Sequence, residues 1–200
     1  IRNLARFRYD YEFETQEKYD DEKIIIYQVA LNLGRGLELL IRSMQFIPKA
    51  KLWLVGSGDI ELKLMNLVKR AKLKDRVIFK GRVPLENLWE YTSIADIGVS
   101  LEENMGLNYQ YALPNKLFDY IQARIPVVVS DLDEMKKITE VFTIGKVLYK
   151  RTPEELADVI NNLIKNELST NFYKPKLELA ARELCWEREE EKLLLLFRRG

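Results

Sequence analysis

Six apolar runs of strand length constrain this chain more than any other feature. They lie at residues 24–29, 51–55, 76–80, 96–101, 126–130 and 143–148. A strand with one wet face alternates apolar and polar residues, whereas a strand covered on both faces stays apolar throughout. Helical spacing fills the intervals. Leu37, Leu40, Ile41 and Met44 are three and four apart, as are Leu64, Leu67 and Val68, then Leu85, Leu88 and Trp89, and then Leu156, Val159, Ile160, Leu163 and Ile164. Strand and helix thus alternate six times. With right-handed crossovers, this predicts an α/β fold with a doubly wound, Rossmann-like parallel sheet of six strands in the order 3-2-1-4-5-6.

The ends of the chain read differently. Residues 1–22, with "RFRYDYEFETQEKYDDEK", lack a clean period and are expected to be a linker or edge segment. Residues 23–170 form the predicted sheet domain. Residues 171–200 are expected to add C-terminal helices, with a break at Pro175 and a face of Leu177, Ala180, Ala181, Leu184 and Cys185. Residues 193–197 are apolar all round, which predicts burial on both sides or contact with something outside the chain. Thr152-Pro153-Glu154-Glu155 is a helix start, with proline first and acids in the opening turn.

Composition excludes several chemistries. The chain has no histidine, so no imidazole base and no His/Cys zinc site can come from it. One cysteine, Cys185, rules out an internal disulfide and points to a reducing cytosol. Lys+Arg is 32 against Asp+Glu 31, so no overall charge draws the chain to nucleic acid. No apolar run approaches the ~18 residues of a membrane span. The first residue is Ile1 and no leader pattern follows it, as expected of a fragment of a longer protein.

In an open parallel sheet, ligands bind beyond the carboxyl ends of the strands, where the strand order reverses. Here that is the gap between the first and fourth strands. The loop after the first is "ALNLGRG", with Gly34, Arg35 and Gly36 at a helix entry. Glycines there let backbone approach an anion. The loop after the fourth, "EENMGLNYQYALPNK", exceeds the roughly 2–6 residues of an ordinary connection, and long loops tend to be functional. It ends on Pro114-Asn115-Lys116. Either Asn115 caps the next helix or Pro114 is its first residue. In both cases free N–H groups near Asn115, Lys116 and Leu117, with the Lys116 charge, suit the oxygens of a diphosphate. Asp119, one turn on, can accept hydrogen bonds from ribose hydroxyls. The plainer alternative is that Asp119 complements the helix dipole and Lys116 is solvated.

Other motifs carry less. "LVGSGDIE" follows the second strand and lacks a third glycine, so it reads as a turn and helix start rather than a dinucleotide fingerprint. Arg82, in "FKGRVP", reads as a solvated charge. Glu102 and Glu103 are adjacent, and on an extended segment their carboxylates point apart, which weakens them as a catalytic pair. No metal site can be assembled from the carboxylates in view. The first strand ends in Val29-Ala30, without the acidic cluster of a receiver domain.

Taken together, "KLWLVGSGDIE", "RVIFKGRVPLENLWEYTSIADIGVS", "PNKLFDYIQARIPVVVSD" and "IGKVL" resemble the C-terminal, donor-binding domain of GT-B glycosyltransferases, family 4. The resemblance covers roughly residues 23–165 and implies one half of a GT-B fold. It makes "IRNL" the chain emerging from an absent N-terminal acceptor domain, and "CWEREEEKLLLLF" the helix that crosses back to it. It implies retaining transfer of a sugar from a UDP- or GDP-sugar to a glycan or lipid-linked acceptor, with no required cofactor or metal. It also implies a cytoplasmic setting, with peripheral membrane association through the missing domain. Arg35 falls where the family carries a lysine beside glycine, and is the leading phosphate cation. The family's arginine five residues earlier falls on Ala30, and Lys116 is the candidate substitute. Of the family's two glutamates eight positions apart, the second falls on Asp119 and the first on Tyr111, which would leave Glu103 to reach in from the longer loop. Two family glycines fall on Val29 and Arg124, and Val29 would crowd the phosphates. The turn at Gly81, Arg82 and Val83 is where the base is contacted. Tyr111, Leu113, Pro114 and Asn115 complete the implied donor pocket.

Two rival functions remain open on the sequence. One is a sugar-nucleotide epimerase of related fold. The other is a non-catalytic interaction domain, which the substitutions at Val29, Tyr111 and Arg124 favour.

Overall fold

A computed structural model describes residues 4–8, 22–111, 113–165 and 167–197. Its centre is a six-stranded parallel sheet: β1 (Lys23–Ala30), β2 (Ala50–Ser57), β3 (Val77–Gly81), β4 (Ile97–Ser100), β5 (Val127–Ser130) and β6 (Gly145–Leu148). The order is β3-β2-β1-β4-β5-β6, as the alternation predicts. β1 therefore lies between β2 and β4, in register Lys23↔Ala50 through Ala30↔Ser57 on one side and Ile25↔Ile97 on the other. All four residues of β4 and all four of β5 are buried, which accounts for sequences that are apolar up to the serine closing each strand, Ser100 and Ser130.

The helices are α1 (Leu37–Ser43), α2 (Glu61–Arg70), α3 (Leu85–Ser93), α4 (Leu107–Gln110), α5 (Asn115–Gln122), α6 (Asp133–Phe142), α7 (Pro153–Lys165), α8 (Glu167–Glu183) and α9 (Trp186–Phe197), with a 3-10 turn at Met44–Phe46. α1 packs with α2 and α7, while α3 packs with α5, and α8 lies against α5 and α6. Each crossover stacks its apolar stripe on the sheet. The exception is Leu85 in α3, which the spacing places inward and the structure leaves 82% exposed. The Thr152 hydroxyl accepts from the Glu155 N–H at 3.2 Å, capping α7 as its sequence predicts.

Two elements depart from expectation. Pro175 does not break a helix; it lies within α8. An interior proline costs about 3 kcal/mol. Tyr173, Leu177, Ala180 and Ala181 are buried on both sides of it and hold the helix across it. The break falls instead at Leu184 and Cys185. In the apolar run near the chain end, Leu193 is half-buried and Leu194 is 52% exposed; the side chains of residues 195–197 lie outside the described set.

Most of the opening segment, residues 9–21, also lies outside the described residues. Residues 4–8 lie across the start of α9 and the end of α5. The Ala5 carbonyl accepts from Trp186 N–H at 2.9 Å, and the Arg8 N–H donates to Gln122 Oε1 at 3.3 Å.

Candidate functional site

The site lies where β1 and β4 diverge, and α5 fixes its geometry. Gly98 in β4 leaves no room for a side chain: a Cβ there would sit 2.4 Å from the Tyr120 ring. The ring therefore settles directly on the strand. The Tyr120 hydroxyl reaches the carbonyls of Val99 at 3.3 Å and Ile26 at 3.4 Å, spanning the two diverging strands. Pro114 is the N-cap of α5, with extended backbone, and Asn115 is the first helical residue. This corrects both capping alternatives read from the sequence. It also corrects the expectation for Leu117, whose N–H is not free: it donates to the Pro114 carbonyl at 3.0 Å.

The two loops join. The Glu103 N–H donates to the Gly34 carbonyl at 2.8 Å. Gly36 has φ +69, and a Cβ on it would lie 2.3 Å from the Leu101 carbonyl oxygen and 3.0 Å from Arg151 Nη2. Glycine is required here by both conformation and contact. Behind this seam, Arg151 ties the strand ends together. It donates to the Leu101 carbonyl at 3.0 Å, the Glu102 carbonyl at 3.2 Å and Ser130 Oγ at 2.7 Å.

Arg35 and Lys116, the two predicted cations, come together. Both approach the same oxygen of Glu102, Lys116 Nζ at 2.5 Å and Arg35 Nη1 at 3.5 Å. Their surroundings differ. The Arg35 side chain is 31% exposed and the Lys116 side chain only 5%. Lys116 also lies 4.3 Å from the Tyr27 ring centroid, with its ammonium over the face. The expectation of a solvent-facing or ligand-facing Lys116 thus meets a buried ion pair. Ser100 Oγ donates to the other Glu102 oxygen at 2.7 Å. Burial pushes the Glu102 carboxyl up, but the Lys116 charge and the hydrogen bonds from Lys116 and Ser100 outweigh it and hold it below the usual carboxylate range. Burial draws the Lys116 ammonium down against the pull of Glu102.

Asp119 accepts from Gln28 Nε2 at 2.8 Å, and Gln28 Oε1 in turn accepts from Thr92 Oγ1 at 2.8 Å. Burial raises the Asp119 carboxyl to about 6, opposed by the Gln28 hydrogen bond and the charge of Arg8. Tyr111, Leu113 and Pro114 lie on the approach to α5; Tyr111 is exposed and the other two are half-buried. Gly34 has φ +76, and a Cβ on it would meet Met105 Sδ. Arg82 is exposed, beside half-buried Val83 on the turn after β3. As adjacency predicts, Glu102 and Glu103 diverge: one is 1% exposed and the other 46%, with Glu103 only 3.9 Å from Arg151. Among the described residues, no group of three His, Cys, Asp or Glu gathers as a metal site.

Val29 and Arg124 both occupy left-handed backbone, with φ 88 and φ 54. These are the two positions where the resemblance implies glycine. The Val29 side chain is 49% exposed at the sheet's carboxyl edge. Its register partner is Gly56, where a Cβ would fall on the Val29 carbonyl oxygen. This gives "LVGSGDIE" a structural role: its first glycine makes room for the end of β1.

Sequence reasoning weighed Glu102 only as half of a weak catalytic pair, and did not name Arg151, Gln28 or Ser100 as site components. Two of the three unnamed residues left a signal. Gln28 and Ser100 are polar residues inside apolar strands, and each is completely buried and hydrogen-bonded.

Residues 9–178 match the family described as "Glycosyl transferases group 1". A glycosyltransferase of Methanocaldococcus jannaschii is 29% identical over 152 residues, covering 74% of this chain and 37% of that protein. Among solved structures, sucrose-phosphate synthase from Thermosynechococcus elongatus superposes with a TM-score of 0.75 at 23% identity, over 90% of this chain and 45% of that one. Anabaena HepE in complex with UDP-glucose gives 0.75 at 16% identity, over 90% of this chain and 50% of that one. The chain spans about two-fifths of the curated relative's length and about half of each of these structures.

Proposed function

The chain belongs to the group 1 glycosyltransferases, and we propose that it is the donor-binding half of a retaining member that uses a UDP- or GDP-sugar. The observation that carries this reading is the position of Arg35. Its guanidinium is partly exposed at the strand-order reversal, on a glycine-flanked loop sewn to the loop after β4. In the reaction, the bond between the anomeric carbon and the diphosphate oxygen breaks and the electrons leave with the diphosphate. A cation fixed at that oxygen stabilises the developing charge without needing a metal. Arg35 supplies it. Asp119, held by Gln28, accepts from the ribose hydroxyls, and the turn at Gly81, Arg82 and Val83 meets the base. HepE's complex with UDP-glucose supports this choice of ligand.

The acceptor site belongs to an N-terminal domain outside this chain, so the chain alone binds nucleotide and transfers nothing. The sugar goes to a glycan or lipid-linked acceptor in polysaccharide assembly. The setting is cytoplasmic, with the acceptor domain resting on the membrane. Saturation-transfer NMR with UDP, GDP and their sugars tests the reading. Transfer to ribose and base protons is expected, and no transfer from any of them would overturn it.

One observation favours a second reading, that of a non-catalytic interaction domain. Val29 projects a half-exposed side chain beside Gly56 at the same edge. That reading predicts no nucleotide contact in the same NMR experiment.

A further inference from the structure

Lys116 and Arg35 share one carboxylate oxygen but cannot play the same part. Lys116 is locked: its Nζ is 2.5 Å from Glu102 Oε1, its side chain is 5% exposed, and the Tyr27 ring lies over it. Arg35 is loosely tied, at 3.5 Å and 31% exposure. Lys116 also lies in the first turn of α5, where the helix dipole disfavours a positive charge. A lysine persists there only because Glu102 offsets it, and Glu102, 1% exposed, persists only because Lys116 and Ser100 satisfy it.

We propose that Lys116 does not touch the nucleotide: it is a positioning residue that neutralises Glu102 and so keeps the Glu102 hold on Arg35 loose enough for that guanidinium to bind the diphosphate. Without Lys116, the Glu102 carboxylate would have Arg35 as its nearest cation and would hold it. With Lys116 in place, the three groups carry one net positive charge, and Arg35, partly exposed and only loosely paired to Glu102 at 3.5 Å, is the cation a diphosphate can reach. The nearby Arg151 and Glu103, 3.9 Å apart, add no net charge. This inference deepens the nucleotide reading and rests on it.

The two roles for Lys116 separate in a double variant. Calorimetry with UDP, and with uridine as the phosphate-free control, is run on the 200-residue chain, on Lys116→Gln and on Glu102→Gln/Lys116→Gln. The double variant removes one charge of each sign and keeps an acceptor for Ser100. If Lys116 acts through Glu102, Lys116→Gln loses about tenfold in UDP affinity, and the double variant returns to within about threefold of the parent. A direct charge-assisted contact would instead cost the double variant tenfold or more. A loss beyond about threefold in the double variant overturns the inference and leaves the nucleotide reading standing. If the parent binds neither UDP nor GDP, both fall. Should Lys116→Gln fail to fold by circular dichroism, the comparison of double variant with parent decides alone.

Discussion

The Glu103 N–H and the Gly34 carbonyl meet at 2.8 Å, making the loop after β4 and the loop after β1 a single unit. Both loops emerge at the carboxyl ends of adjacent strands. Arg35 therefore inherits its placement from β4 as well as from β1.

Removing the exposed cation should weaken diphosphate binding selectively. Arg35→Ala is expected to cost about 1–3 kcal/mol in UDP affinity, the range of a charge-assisted hydrogen bond. Uridine affinity should not change. Calorimetry checks this, and equal losses for the two ligands would count against a phosphate role.

Gly36 and Gly81 share φ +69 but differ in surroundings. A methyl group on Gly81 would meet nothing within 4 Å, whereas one on Gly36 would face the Leu101 carbonyl at 2.3 Å. Gly81→Ala should cost only the left-handed conformational penalty, about 1–2 kcal/mol. Gly36→Ala should cost at least ~1 kcal/mol more, because backbone must move. Urea unfolding of the two variants measures the difference, and equal midpoints would refute it.

Val29, β-branched at φ 88, holds strained backbone. Such strain costs on the order of 1–3 kcal/mol, against ~0.5–1 kcal/mol for the added entropy of glycine. Half-exposed, the side chain has little packing to lose. Val29→Gly is expected to raise the thermal midpoint by about 2–4 °C. Differential scanning calorimetry would show it, and a lowered midpoint would mean that the valine packs usefully.

The Asp119 carboxyl is raised from its ordinary 3.8 to about 6. Between these values the folded chain binds the proton more tightly than the unfolded chain. Its contribution to stability is therefore fully present below about pH 4 and lost as pH rises through about 6. A shift of this size corresponds to roughly 2–3 kcal/mol. Asp119→Asn should remove that part of the slope. Urea titrations of parent and variant at pH 4 and pH 7.5 would reveal it; the same pH dependence in both would exclude Asp119 as its source.

The strands were legible because both-face burial leaves an apolar run, as in Val127-Val128-Val129, and their order followed from the alternation with helices and the handedness of the crossovers. The convergence of Arg35 with Lys116 followed from that order. What each cation does there was not legible. Lys116 reads as a free charge until Glu102, fourteen positions away on another element, is seen against it. A single charged residue in a sequence carries no mark of its partner. The Pro175 reading failed for a similar reason: the packing that carries α8 through the proline is tertiary, whereas the proline signal is local.

The bare backbone at Gly98, with the Tyr120 ring pressed onto it, leaves α5 no slack. Lys116 and Asp119 ride the same short rod, three residues apart and so neighbours on its surface. A tilt that moved one would move the other, so the Lys116–Glu102 pair and the Gln28–Asp119 hydrogen bond share a single mechanical adjustment. Drift at either contact is felt at both, and the helix can be retuned only as a whole.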